Sequence, residues 1–336
     1  CPLYSHSLQS FKIIEKKIQH LQQEQFAELA LELFQLQYKT NPVYRKYVQL
    51  IGRSDKNVNV LEEIPFLPIS AFKYHKISSS RTPSKIIFES SGTQGLKSKH
   101  YIASEAWYKQ QSKSIFEAIY GSLNDFCILA LLPSYLERNN SSLVYMVDHF
   151  MQISQHPENG FYLNDHTALN TKLIELKSKN QKVLLIGVSF ALLDFVDKFI
   201  VEENPNLIVM ETGGMKGKRK EMIRSELHER LKLGFQQENI HSEYGMTELL
   251  SQTYSKEEGI FEENRFLKVF IGKHNQPFDL CQEGEVGKVK LIDFSNLYSC
   301  AFIETDDLGK KLNERQFEIL GRSDLAEQRG CNLMLT

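Results

Sequence analysis

Between residues 126 and 210 short, wholly apolar runs alternate with helical patterns, and this alternation restricts the fold more than any other feature. The runs are Phe126 to Leu132, Val183-Leu184-Leu185-Ile186 and Leu207-Ile208-Val209-Met210; helices are predicted near Ser141 to Phe150, over 166–179 and over 190–200. Apolar runs without polar alternation are strands buried on both faces, and strands separated by helices pair in parallel. The expectation is an α/β protein with parallel or mixed sheets flanked by helices.

The flanks read differently. Leu8, Phe11, Ile14, Ile18 and Leu21 recur three and four apart, and Phe26, Leu29, Leu33 and Leu36 continue the pattern until Asn41-Pro42 stops it, so the chain opens with helices. The segment Ile64-Pro65-Phe66-Leu67-Pro68 cannot be helical. From about Ser251 the pattern becomes short alternating segments with glycine turns, such as Val286 to Ile292, as in a small antiparallel or barrel-like subdomain. The predicted division is an α/β core with N-terminal helices over 1–250 and a smaller β-rich subdomain over 251–336.

Composition excludes several function classes. Forty basic against 42 acidic residues leave a net charge of −2, so no overall field draws the chain to nucleic acid or to an anionic membrane. The longest apolar run, Cys127 to Leu132, is far below the roughly eighteen residues of a membrane-spanning helix. Five cysteines at 1, 127, 281, 300 and 331, without CxxC spacing, argue against a disulfide framework and a structural zinc site. No signal peptide precedes Leu3, although the sequence starts at Cys1 without a Met, and a cytoplasmic location is expected. The expected partner is a small molecule.

Three polar loops carry the candidate chemistry. Ser90-Ser91-Gly92-Thr93-Gln94-Gly95-Leu96-Lys97-Ser98-Lys99 follows the short strand Ile86-Ile87-Phe88; its glycines permit positive φ, and its hydroxyls, N–H groups and lysines aim donors and charge at an anion. It is not a Walker A loop, because the glycine-lysine-hydroxyl ending is missing. Gly213-Gly214 ends the strand before a basic stretch, Lys216 to Lys220, and Tyr244-Gly245-Met246-Thr247-Glu248 follows Ile240-His241-Ser242. In open α/β sheets ligands bind beyond the carboxyl ends of strands, where all three loops are expected.

In this order the glycine loop, Gly213-Gly214, Tyr244 to Glu248, Thr305-Asp306-Asp307 and Gly321-Arg322-Ser323-Asp324 resemble the core motifs of the adenylate-forming, acyl-activating superfamily. Within it, Leu132-Pro133-Ser134-Tyr135-Leu136-Glu137-Arg138, Ser242 to Leu249 and Arg329-Gly330-Cys331-Asn332-Leu333 most resemble the acyl-protein synthetases of bacterial luminescence, over about residues 60–336. The resemblance implies the large domain of adenylate-forming enzymes with a small β-rich subdomain. Only six residues follow Gly330, so the mobile C-terminal domain and its adenylation lysine are expected to be lacking.

The resemblance further implies ATP, Mg²⁺ and a fatty or related carboxylic acid that attacks the α-phosphate to form an acyl-adenylate. Ser90, Ser91, Gly92, Thr93 and Gly95 would hold the β- and γ-phosphates, with Lys97 or Lys99 neutralising the departing pyrophosphate. Where the superfamily has Pro-Lys this chain has Lys97-Ser98, which leaves the choice of lysine open. Thr247 would donate to the α-phosphate and Glu248 would ligate Mg²⁺. Tyr244, with Gly213 and Gly214, would enclose adenine, Gly245 would bind the nucleotide beside it, and Asp307 would accept from the ribose hydroxyls with Arg322 as a second donor to the sugar or phosphate. Cys331 would take the acyl group as a thioester before passing it to a partner reductase.

Taken singly, Glu248 reads equally well as a helix cap or ion-pair residue, Tyr244 as a core aromatic and Asp307 as a turn residue beside Gly309. Cys331 alone reads as evenly a small buried hydrophobe, and Cys127 reads as core. Two further functions stay open on sequence: an adenylate-forming ligase that acylates coenzyme A, a carrier protein or an amine, and a non-catalytic nucleotide- or partner-binding module.

Overall fold

The computed structural model describes residues 2–322 except 92–94, 135, 139, 215–221 and 274–277, with the side chains of 2–8 also left aside. Cys331, Gly92 and Thr93 therefore lie outside the described residues. The chain divides into two compact units: one comprises Cys1–Tyr108, Thr247–Ser251 and Glu263–Thr336, the other Lys109–Met246 and Gln252–Glu262.

In the first unit, helices Pro2–Gln19 and Phe26–Thr40 bury Phe11, Ile14, Ile18, Leu29 and Leu33 of the periodic set, with Phe34 beside them, while Leu36 is half-buried. Asn41 ends the second helix and starts a third, Pro42–Leu50, which the periodicity did not reveal: its side chain accepts the Tyr44 N–H at 3.0 Å and Pro42 occupies the first helical position. Tyr44 stacks on Phe302, with ring centroids 5.8 Å apart. Phe302 belongs to an antiparallel ladder of Leu267–Gly272, Gly287–Asp293, Phe302–Lys311 and Gln316–Arg322, consistent with the alternating pattern read after Ser251. Leu67–Pro68 joins this ladder in parallel, Leu67 opposite Ile303.

The second unit holds the expected parallel sheet. Strand Phe126–Leu131, buried throughout, lies between Gly160–Phe161 and Lys182–Val188; Leu207–Thr212 and His241–Tyr244 extend the sheet, and Thr253–Ser255 closes it antiparallel. Helices Ser142–Ser154, His166–Ser178, Ser189–Val196 and Arg224–Phe235 separate the strands. Cys127 is fully buried in the first run, and burial pushes its thiol up to about 12, which makes it a core residue.

One expectation about loops is corrected. Gly213-Gly214 and Tyr244-Gly245 do follow the carboxyl ends of neighbouring parallel strands. The glycine loop does not. It connects the two arms of an antiparallel hairpin in the first unit, Ile86–Glu89 paired with Lys99–Ile102. The second arm carries Lys99 and His100 where an apolar alternation would advertise a strand.

Candidate functional site

The neck of the hairpin is closed by hydrogen bonds in both directions. The Ser98 N–H donates to Ser90 Oγ at 3.0 Å, and the Ser90 N–H donates to the Ser98 carbonyl at 3.1 Å. Ser90 thus has a structural task within the loop. Beyond the neck, Ser91, Gly95, Leu96 and Lys97 are exposed, and Gly95 holds φ at +87°, a region that costs a residue with a Cβ about 1–2 kcal/mol. Lys99 lies 3.6 Å from Glu89 across the hairpin, whereas Lys97 extends into solvent.

The hairpin meets the segment after Tyr244. Ser98 and His100 sit two residues apart on one strand face, both buried, and contact successive residues of Thr247–Ser251. The Ser98 hydroxyl lies close enough to the Glu248 carboxylate to favour its charged form, and His100 Nδ1 lies 2.9 Å from the Thr247 carbonyl oxygen. Glu248 is 6 % exposed. Burial raises its pKa, and the nearby Asp306 carboxylate adds to the rise; Ser98, the backbone N–H of Glu248 and the Lys73 ammonium oppose it. Glu248 lies in a turn and caps no helix.

A turn at 293–300 supports that segment from behind. Asn296 donates to the Glu248 carbonyl at 2.8 Å and accepts from the Leu250 N–H at 3.0 Å. Asp293 accepts from the N–H groups of Leu250 and Ser251, both at 3.0 Å, and from the Ser251 hydroxyl at 2.6 Å. His100, Asp293 and Asn296 were not singled out from the sequence. The backbone groups of the 247–251 segment that they hold are 42 to 147 residues away, so no local spacing marks that task.

Asp307 sits within strand Phe302–Lys311 opposite Arg322, which removes the turn reading. Its N–H donates to Thr305 Oγ1 at 3.1 Å, and Arg322 Nη2 is 3.5 Å from Asp306. The two residues expected at ribose therefore share one strand pair.

In the second unit, Gly213-Gly214 follows Thr212, and the Ser189 hydroxyl donates to the Gly213 carbonyl at 3.1 Å. Thr212 donates to Glu243. Just below, buried Glu211 is held by Arg224 Nε at 3.1 Å and Ser189 Oγ at 3.2 Å, with His228 Nε2 at 3.4 Å. Burial alone would raise the Glu211 pKa; the bonds from His228 and Ser242 and the Arg224 charge outweigh it and hold it below the usual value. Tyr244 is 9 % exposed and packs against Phe261 with ring centroids 5.9 Å apart, so core packing accounts for it as it stands. A Cβ on Gly245 would meet the Glu243 carboxylate, which explains glycine there.

Glu248 suits a hard cation. It is a buried oxygen donor that feels the charge of a second carboxylate, Asp306, and Mg²⁺ characteristically takes one or two carboxylates with substrate phosphates completing the shell. Among the described residues no group of three or more His, Cys, Asp or Glu side chains is arranged to hold a metal by itself.

The fold is that of adenylate-forming enzymes. It is similar to 2-hydroxyisobutyryl-CoA ligase in complex with 2-HIB-AMP and CoA, with a TM-score of 0.66 at 10 % identity, covering 88 % of this chain and 69 % of that one. It is also similar to ATP-bound MatB from Rhodopseudomonas palustris, with a TM-score of 0.51 at 13 % identity over 70 % of this chain; the chain spans only 47 % of that protein. Residues 15–336 match the family described as "Acyl-protein synthetase, LuxE", and the chain belongs to that family. One relative is the long-chain-fatty-acid--luciferin-component ligase of Aliivibrio fischeri, 25 % identical over 358 residues, covering 92 % of this chain and 87 % of that protein. The protein of the same name from Photorhabdus luminescens is 37 % identical over 73 residues, 21 % of this chain and 62 % of its own length.

Proposed function

We propose that the chain uses ATP to convert a long-chain fatty acid, or a related carboxylic acid, into an acyl-adenylate and then acylates its own Cys331. In the first step a carboxylate oxygen attacks the α-phosphorus and pyrophosphate leaves. In the second the Cys331 thiolate attacks the acyl carbonyl, the thioester forms and AMP leaves. The observation that carries this reading is the junction of hairpin and motif segment, with Ser98 beside Glu248 and His100 on Thr247, in a member of the acyl-protein synthetase family.

Each residue has a task in that chemistry. Ser91 and Gly95, both exposed, together with Gly92 and Thr93, which lie outside the described residues, are the proposed holders of the β- and γ-phosphates through hydroxyls and N–H groups. Lys97 is the better candidate to neutralise the departing charge, because Lys99 faces Glu89. Thr247 donates to the α-phosphate and Asp307 with Arg322 holds the ribose. Glu248 is the residue to hold Mg²⁺, which when bound supplies charge neutralisation to the phosphates. Gly213, Gly214 and Tyr244 take the adenine role, with Gly245 beside them, on the strength of the resemblance. A reductase is the proposed final acceptor, and the cytoplasm the proposed location; no helix among the described residues is long and apolar enough to cross a membrane.

The test is ATP/pyrophosphate exchange across a panel of carboxylic acids of increasing chain length. The expected result is Mg²⁺-dependent exchange that requires the acid and peaks at one range of chain lengths. Nucleotide binding with no acid-dependent exchange would refute an adenylating enzyme.

A further inference from the structure

His100 occupies a position for which its chemistry is unusually well matched. It is 1 % exposed, its ring edge rests on Phe72 at 5.3 Å between centroids, and both ring nitrogens are engaged. Nδ1 faces the Thr247 carbonyl at 2.9 Å and Nε2 faces Ser299 Oγ at 2.8 Å. A carbonyl oxygen can only accept, so Nδ1 carries the proton and Nε2 accepts from the Ser299 hydroxyl. Burial lowers the ring pKa to about 4, which keeps it neutral with a single N–H.

Ser299 is itself anchored. Its carbonyl accepts from Asn41 Nδ2 at 3.0 Å and from the Ser79 hydroxyl. His100 therefore joins the hairpin, the Thr247 backbone and a fixed turn through one rigid ring. On the same strand face, two residues earlier, Ser98 lies beside Glu248. A slip of the hairpin by a single residue would turn both side chains to the other face.

We propose that His100 is a positioning residue for adenylate formation: by holding the hairpin strand to the Thr247 carbonyl, it fixes Ser98, at the neck of the hairpin, beside the Glu248 carboxylate. This rests on the reading of the glycine loop, Thr247 and Glu248 as the Mg²⁺·ATP site. His100 touches no reacting atom, so its effect is expected on the use of Mg²⁺·ATP and not on acid binding.

The test measures exchange kinetics of His100→Leu, His100→Asn and Ser299→Ala beside the unaltered chain, each checked for a cooperative melt. Leu keeps the bulk and removes both bonds; Asn keeps a donor at the Nδ1 place; Ser299→Ala keeps the ring and frees its tautomer. His100→Leu is expected to lose about 10- to 100-fold in kcat/KM for Mg²⁺·ATP, in line with a buried hydrogen bond left unmade, with the KM for acid unchanged. His100→Asn is expected to recover most of the loss, and Ser299→Ala to fall between. A folded His100→Leu with unaltered Mg²⁺·ATP kinetics, or losses equal for ATP and acid, overturns the proposal. Should His100→Leu not fold, unaltered kinetics in Ser299→Ala overturn it. Absence of exchange in the unaltered chain overturns the functional reading itself, and this inference with it.

Discussion

Glu248 shows how a single side chain can be tuned against stability. Its pKa is raised by burial, so its charged form is less comfortable in the folded chain than in the unfolded one, and above the ordinary carboxylate range this lowers stability. Glu248→Gln keeps an acceptor for Ser98 and removes the charge. We expect that variant to resist denaturant at neutral pH at least as well as the unaltered chain while exchange activity falls by about 100-fold, as for loss of one electrostatic contact to a developing charge. A parallel loss of stability and activity would show that Glu248 serves packing alone. Glu248 and Thr247 stood out as candidates because they lie in one contiguous motif. His100, Asp293 and Asn296 were not, because a buried polar residue that satisfies a distant backbone group leaves no periodic trace.

Among the elements, the parallel sheet was legible and the hairpin was not. Strands such as Phe126–Leu131 are buried on both faces and declare themselves as unbroken apolar runs. The hairpin arm Lys99–Ile102 alternates exposed and buried positions correctly, but one buried position is filled by His100, so the apolar alternation is hidden. Likewise, Asn41-Pro42 signalled a helix end while also building the next helix start. At the end of strand His241–Tyr244, a Cβ on Gly245 would strike a Glu243 carboxylate already bonded by Thr212. Gly245→Ala is expected to destabilise by about 1–3 kcal/mol through overpacking, measured by urea denaturation. An unchanged midpoint would show that the carboxylate moves aside freely.

Over the whole molecule, sequence proximity misleads about partnership: Thr247–Ser251 packs with Cys1–Tyr108 and Glu263–Thr336, while the residues on either side of it belong to the other unit. Both units carry a histidine that burial depresses, fully buried at His100 and half-buried at His241. Burial lowers His100 and His241 from 6.5 to about 4, with the Lys256 charge assisting at His241. Each is neutral when folded, so its contribution is intact above pH 6.5 and is lost as pH falls toward 4, at about 3 kcal/mol per histidine for a shift of this size. Melting temperature is therefore expected to drop between pH 6.5 and 4, and His241→Gln to flatten that drop; equal slopes would contradict the assignment.

The central claim is acyl activation followed by capture on Cys331, and the most direct measurement is covalent labelling. The chain is incubated with ATP, Mg²⁺ and radiolabelled fatty acid and the protein-bound label is challenged with hydroxylamine. The expected result is a hydroxylamine-sensitive label on the unaltered chain and, in Cys331→Ser, acyl-adenylate in solution with no thioester on the protein. A label that persists unchanged in Cys331→Ser, or no acyl-adenylate from either protein, would contradict the account.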